Sequence, residues 1–577
     1  MTIVTRHAPL AGVALLLGFV AGNPTKAQSP ADEFSRRQDQ QTEIRRLDAL
    51  RRITPEDKAT AADAQAPSPA AGDGRCFDIE HVAVEGAVHV PAARIAAITS
   101  RYENRCIGLA DINEILRSLT HLYLDHGYVT SRAYVPQQDI KASKMLRLVI
   151  VEGTLADIYL NGKPAPAKGS LKTAFPGLKG RIANIRDIEQ GIDQINRLSS
   201  NDAKTSMLPG PRDGTSILDV KNEPTKRWHL SVANDNLGQE STGYAESSIR
   251  LALDDLLDIN DQLAFSYQRT GPDYPWSRDG RGNSNSYAVN ASIPYGYWTI
   301  SANGSWYDYR SSVPGNFGPI ETSGDSGQFG MGIDRVLLRD KNSITTIRTG
   351  LTYKQTDNFL LGNRIEVGSR QYSVGSIGVS HSRRMLGGIW VFDGTYDQGL
   401  DLFDAVDAGD PGAGTADPRF AKFSANISVT QPFELGGQHF EAVSLVSGQY
   451  SPDNLFGAEQ ISLGSYSNVR GLRESVLFGN NGLFTRNELV WRTMPWENDG
   501  PVAKVLGELR PYVGLDYGHV YSQQRFDISG GDLSSWTIGA RLVGGNLNLD
   551  LGYSGILASS VDSDGDGLFF VTTSLHW

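Results

Sequence analysis

The sequence predicts a mainly β fold: a sixteen-stranded transmembrane barrel over residues 227–577, preceded by two small α/β modules and one polar N-terminal helix. Three observations lead there. From Trp228 onward the helical period gives way to strict alternation. Tyr287, Val289, Ala291 and Ile293 alternate with Ser286, Ala288, Asn290 and Ser292, and Leu547, Leu549, Leu551 and Tyr553 alternate with Asn548, Asp550 and Gly552. One greasy face and one polar or small face is the period of a strand with lipid outside and a wet interior. The connections also alternate in length. Segments 294–295, 338–342 and 543–544 are short, whereas 270–283, 307–325, 398–418 and 451–480 are long. Short periplasmic turns and long external loops are the outer-membrane pattern. Finally, no stretch reaches the roughly 18–20 continuous apolar residues that a membrane helix needs.

Residues 1–27 read as a secretory signal peptide. Arg6 and His7 precede an apolar run at 10–21 that is too short to span a membrane, and Thr25-Lys26-Ala27 offers a cleavage site. Export implies an oxidising compartment. There the two cysteines, Cys76 and Cys106, are most simply one disulfide, with two buried free thiols as the alternative. Two cysteines so far apart make no metal site alone, and no cofactor is expected. Within residues 28–52 a helix is expected whose sizeable apolar side chains are limited to Phe34, Ile44, Leu47 and Leu50. Such a helix is either exposed or lies in a wet cavity. Residues 53–75, with Pro55, Pro67, Pro69 and Gly72, read as a linker.

Residues 76–153 form the first module. Strand-like 77–84 precedes a helix over 109–126, striped by Ile112, Ile115, Leu116, Leu119, Leu122 and Tyr123 and ended by Gly127. Strands at 128–135 and 145–151 follow. Residues 154–226 repeat the logic, with a strand at 155–160 and a helix striped by Ile185, Ile188, Ile192, Ile195 and Leu198. Strands at 205–208 and 216–220 complete it.

Sixteen strands fit the remainder, among them 296–306, 326–337, 439–450, 482–492, 508–521 and a closing strand at 569–577. In a closed barrel that last strand must pair with the first, or its edge is left unsatisfied. Segment 493–507 departs from the pattern, being long where a short turn is expected.

The long loop at 451–480 carries Val469-Arg470-Gly471-Leu472, and segment 510–518 carries one carboxylate, Asp516, among glycines and aromatics. Alternation puts Arg510, Tyr512, Gly514, Asp516 and Gly518 on one face, so Asp516 points into the lumen. Gly514 and Gly518 leave room for a loop backbone to approach. Arg470 is expected to fold back and meet Asp516, against the simpler reading of a solvated loop arginine and a channel-lining aspartate. Asp562-Ser-Asp564-Gly-Asp566-Gly567 opens like a calcium loop, but Thr573 stands where the bidentate acid belongs, so a polar external loop is the better reading. No nucleophile elbow, zinc spacing or phosphate loop is present, and no enzyme is expected. The net charge of −11 argues against nucleic-acid binding.

With these motifs placed, nearly the whole mature chain resembles the outer-membrane transporters of two-partner secretion, the haemolysin and filamentous-haemagglutinin secretion family. Gly127-Tyr-Val-Thr-Ser-Arg132 and Val151-Glu-Gly153 resemble the end of a first polypeptide-transport-associated (POTRA) domain, and residues 187–197 the helix of a second. Val469 to Leu472 resembles the tip of the family's loop six, and Asp516 its strand-thirteen aspartate. Leu472 stands where the family has Tyr or Phe, which puts that ring's stacking role in doubt. The resemblance implies a plug helix at 28–52, POTRA domains at 76–153 and 154–226, and an outer-membrane location with the POTRA domains in the periplasm. It also implies a monomer in outer-membrane lipid that docks an unfolded, β-rich exoprotein, such as an adhesin or haemolysin, and threads it through the barrel. The rivals are a barrel-assembly factor, which usually carries more POTRA domains, and a passive porin, which has no need of residues 76–226.

Overall fold

Sixteen antiparallel strands close on themselves because the last, Leu568–His576, pairs with the first, Trp228–Asp235. Closure leaves no open edge in lipid. The computed structural model describes residues 29–54, 76–166, 169–272, 280–497, 500–561 and 567–577. The signal segment, most of the linker and the acidic run at 562–566 lie outside these residues.

Alternation becomes an inside and an outside. On the thirteenth strand, Glu508–Val520, Tyr512, Gly514, Asp516 and Gly518 are buried, whereas Val513, Leu515 and Tyr517 are exposed on the lipid side. Tyr287, Trp306, Phe329 and Ile377 are exposed in the same way on other strands.

Several strands run longer than the sequence reading. The fifth and sixth, Trp298–Val313 and Ile320–Arg339, absorb most of the expected loop at 307–325, leaving a connection at 314–319. Their outer halves pair in unbroken register from Trp306↔Gly327 to Val313↔Ile320, where polar residues on both faces hide the alternation. The anomalous segment 493–507 contains a short helix, Pro501–Leu506, ended by Gly507 at φ 64°. Trp496 Nε1 donates to Gly507 O at 2.9 Å, folding the connection onto itself.

The first module has a three-stranded sheet, His81–Glu85 beside Met145–Val151 beside Arg132–Tyr134, covered by helix Leu109–Asp125. The stretch at 77–84 is two strands, not one. Cys76–Ile79 leaves the sheet to pair with Arg105–Gly108, and the Cys76–Cys106 disulfide ties that pair. A helix at Ala92–Thr99, to which the sequence reading assigned nothing, lies between them; its alanines give it little apolar stripe. The second module has a four-stranded sheet and helix Ile185–Asn196. Each module has its own core, one around Ile115, Leu119 and Leu148, the other around Leu155, Ile188 and Leu218.

The second module docks on the barrel's turns. Gln190 and Gln194 donate to Gly296 O at 3.2 and 3.0 Å, Tyr297 OH donates to Asp187 at 2.7 Å, and Arg339 pairs with Asp193 at 2.7 Å.

The N-terminal helix, Pro30–Ile53, lies inside the barrel. Ser29 Oγ accepts from Asp32 N to cap it. Its polarity matches a wet wall: Arg46 pairs with Asp393 at 2.8 Å, Arg37 with Glu246 at 3.3 Å, and Asn426 donates to Glu43 at 2.9 Å. Phe34, one of its few large apolar side chains, stacks on Tyr307 with ring centroids 4.0 Å apart.

Candidate functional site

Loop six leaves the eleventh strand, Gln438–Tyr450, and returns to the twelfth, Gly482–Arg492. Two short strands, Ile461–Leu463 and Leu477–Gly479, pair with each other and carry the tip down into the lumen. Leu463, Val469, Leu472 and Leu477 bury themselves against Phe484, Val520 and Leu533 of the wall. Leu472, in place of an aromatic, therefore contributes packing. Asn468 fixes the turn before the tip. Its Oδ1 accepts from the amides of Gly464, Ser465 and Val469, and its Nδ2 donates to Ser462 O.

That turn delivers Arg470, which has no solvent exposure. Its Nε donates to Asp516 Oδ2 at 2.7 Å, its Nη2 to Oδ1 at 2.8 Å and its backbone amide to Oδ2 at 3.2 Å. A forked guanidinium on a carboxylate is among the stronger protein hydrogen-bond pairs. The flanking glycines make the approach feasible. A Cβ on Gly514 would sit 2.5 Å from Arg470 Nη2, and one on Gly518 2.7 Å from Leu463. Gly471 has φ 115°, and a Cβ there would lie 2.7 Å from Ile556.

The site is larger than the pair. Arg470 Nη1 donates to Glu488 Oε1 at 2.5 Å. Arg541 donates to both Glu488 oxygens, at 2.5 and 2.9 Å, and to Asp550 at 2.9 Å. Arg486 reaches Glu488 at 3.1 Å. Asp550 accepts from Tyr512 OH and Tyr466 OH, at 2.8 and 2.7 Å. Three guanidinium groups thus meet three carboxylates, each charge paired, as burial requires. The sequence reading named Arg470 and Asp516 and placed Tyr512 inward, but missed Asn468, Glu488, Arg541 and Asp550. Inward phase could have nominated the last three. The register that sets Glu488 opposite Gly514, and Arg541 opposite Asp550, comes from strand pairing.

Cys76 and Cys106 form a disulfide in the first module. Among the described residues no group of His, Cys, Asp and Glu could hold a metal ion.

A closed sixteen-stranded barrel with an internal helix, an inward-folded loop and two α/β modules defines a protein-translocating outer-membrane transporter. The chain belongs to the haemolysin secretion/activation protein family ShlB/FhaC/HecB, which it matches over residues 214–542. A ShlB-type POTRA domain matches over 77–153 and a second POTRA domain over 154–209. The chain is 30% identical to the outer membrane transporter CdiB of Escherichia coli, over 94% of this chain and 90% of that one. It is 30% identical to the hemolysin transporter protein ShlB of Serratia marcescens, over 78% and 77%. The solved structure of CdiB from Escherichia coli superposes with a TM-score of 0.85 at 27% identity, covering 96% of this chain and all of that one.

Proposed function

We propose that this transporter recognises a large, β-rich exoprotein in the periplasm through its POTRA domains and passes it unfolded through the barrel, as a monomer in outer-membrane lipid. The relatives are transporters, one of them a hemolysin transporter by name. Folding of the passenger outside would supply direction.

The observation that carries the docking step is an outer edge of the first POTRA domain's sheet, along which no strand pairs among the described residues. Strand His81–Glu85 is the outer strand of its sheet. The Val82 amide donates to Glu103 Oε1 at 3.2 Å, away from the neighbouring strand, so the outward amides of this strand are those of Val82 and Val84. Beside it runs a cavity of about 580 Å³ lined by Val82, Val84, Val90, Ile95 and Ala96. An extended segment could add as a strand, with backbone hydrogen bonds tolerant of sequence and apolar side chains in the groove. The matching strand of the second domain, Thr154–Leu160, is already covered. Its Leu155 exchanges hydrogen bonds with Arg181 O and Gly180 N, at 2.8 and 2.7 Å, and Lys163–Pro164 pairs with its far end.

The test is secretion of the partner exoprotein by Val84→Pro, which removes an outward amide, and Ala96→Phe, which fills the groove. Both should secrete poorly at normal membrane levels and unchanged pore conductance. Normal secretion from both would sink docking at this edge.

A further inference from the structure

Charges on the lipid face of the barrel are sorted by end. Alternation carries Asp308 outward with Trp306, and register sets Asp325 and Asp357 beside it, all in the outer halves of their strands. At the inner ends, next to the periplasmic turns, the strands carry Arg335 and Arg383 outward and, among the described residues, no outward carboxylate.

Arg335 is the better placed of the two. It follows Phe329, Met331 and Ile333 on the exposed face of the sixth strand. Directly across from it stands Trp298 of the fifth strand, and the guanidinium lies 4.7 Å from the centroid of that ring. Tyr295, opposite Trp298 on the fourth strand, Asn283–Tyr295, completes the row, and both rings are exposed. The neighbour of Arg335 on its other side, Ile347, is apolar. A ring against the guanidinium holds its plane and leaves its N–H fork free to donate. Trp and Tyr on a lipid face near the end of a span mark the depth of the headgroups. The same pairing recurs at the start of the first strand, where Lys226 Nζ lies 4.8 Å from the centroid of the exposed Trp228 ring.

The row also lies beside the POTRA dock. Trp298 follows Tyr297, which donates to Asp187, and Arg335 shares its strand with Arg339, which pairs with Asp193.

We propose that Arg335, stacked on Trp298, binds the phosphate of an anionic glycerophospholipid in the inner leaflet, on the two hairpins that carry the second POTRA domain. A guanidinium takes a phosphate through paired hydrogen bonds. The headgroup is anionic because a zwitterionic one brings its own ammonium to a site whose protein charge is already positive. The proposal needs no exoprotein, so its failure would leave the docking step untouched.

The experiment uses the full chain in detergent micelles, with phosphatidylglycerol or phosphatidylcholine added and the retained lipid counted by native mass spectrometry. The wild type should retain phosphatidylglycerol more tightly than phosphatidylcholine. Arg335→Gln should weaken phosphatidylglycerol about fivefold. Trp298→Leu should weaken it too, with every charge still in place. Arg269→Gln removes an exposed arginine at the outer end of the third strand, Gln262–Gly271, and should change nothing. Unchanged phosphatidylglycerol binding in Arg335→Gln, an equal loss in Arg269→Gln, or equal retention of the two lipids by the wild type would each overturn the site. So would a disulfide-linked dimer of Arg335→Cys in phosphatidylglycerol vesicles, which would put a second copy of the chain on this face; the native cysteines, joined to each other, leave no competing thiol.

Discussion

Arg470, at the tip of loop six, gives three hydrogen bonds to Asp516 on the thirteenth strand, two from its guanidinium and one from its backbone amide. The contact fixes the position of the loop as well as pairing two charges. Glu488 takes the remaining arm of the guanidinium at 2.5 Å, so Asp516 is not its sole counter-ion.

Removing Arg470 strands the buried Asp516 carboxylate, whereas removing Asp516 takes three hydrogen bonds from Arg470 and leaves it Glu488. Arg470→Ala should leave Asp516 and Glu488 short of a donor, at a cost of about 3–5 kcal/mol, less where water enters. The barrel should still form, because strand pairing closes it, but secretion should fall sharply. Asp516→Ala should do the same, and the double variant should be little worse than either single one. Secretion measured at matched membrane levels decides this. Normal secretion from Arg470→Ala, or simple addition in the double variant, would show that the pair does not hold the loop.

Deleting residues 30–53 should raise single-channel conductance while secretion largely persists. The helix fills the lumen with side chains that pair with Asp393, Glu246 and Lys354, and none of the barrel's strand ladders depends on it. Unchanged conductance would mean that the helix does not obstruct the pore.

The first POTRA domain should lose stability in acid through Glu152. Burial pushes that carboxyl's pKa up, but hydrogen bonds from the His89 amide and ring, the Val88 amide and Tyr123 OH outweigh it and hold the pKa below the ordinary value. A depressed folded-state pKa stabilises fully above the unfolded value, near 4.3 for glutamate, and the stabilisation fades as pH falls through the folded value. Urea unfolding of residues 76–226 should therefore show a stability loss starting below about pH 5. Glu152→Gln should flatten that slope, and an identical slope in the variant would rule the residue out.

Breaking the disulfide should cost the first POTRA domain about 3–4 kcal/mol, from the entropy of a closed loop with a sequence separation of 30. Cys76→Ser with Cys106→Ser should lower the urea midpoint of residues 76–226 and leave barrel assembly intact. An unshifted midpoint would show that the bond contributes nothing to this domain.

The sequence by itself determined the class of fold and the two central site residues. Alternation with period two needs no partner to be legible, so the strands, their number and the inward phase of Asp516 followed from local pattern alone. The glycines at 514 and 518 announced a close approach because only they leave that space. Strand ends blurred where polar residues occupy both faces beyond the membrane, as in the outer halves of Trp298–Val313 and Ile320–Arg339. The tertiary structure alone decided which inward charges meet. Glu488, Arg541 and Asp550 come together through the register of four neighbouring strands, and Lys354 joins Asp39 to Glu459 across the lumen. Register and burial are properties of the closed barrel, because a charge must find its counter-ion wherever closure puts it, at any separation along the chain.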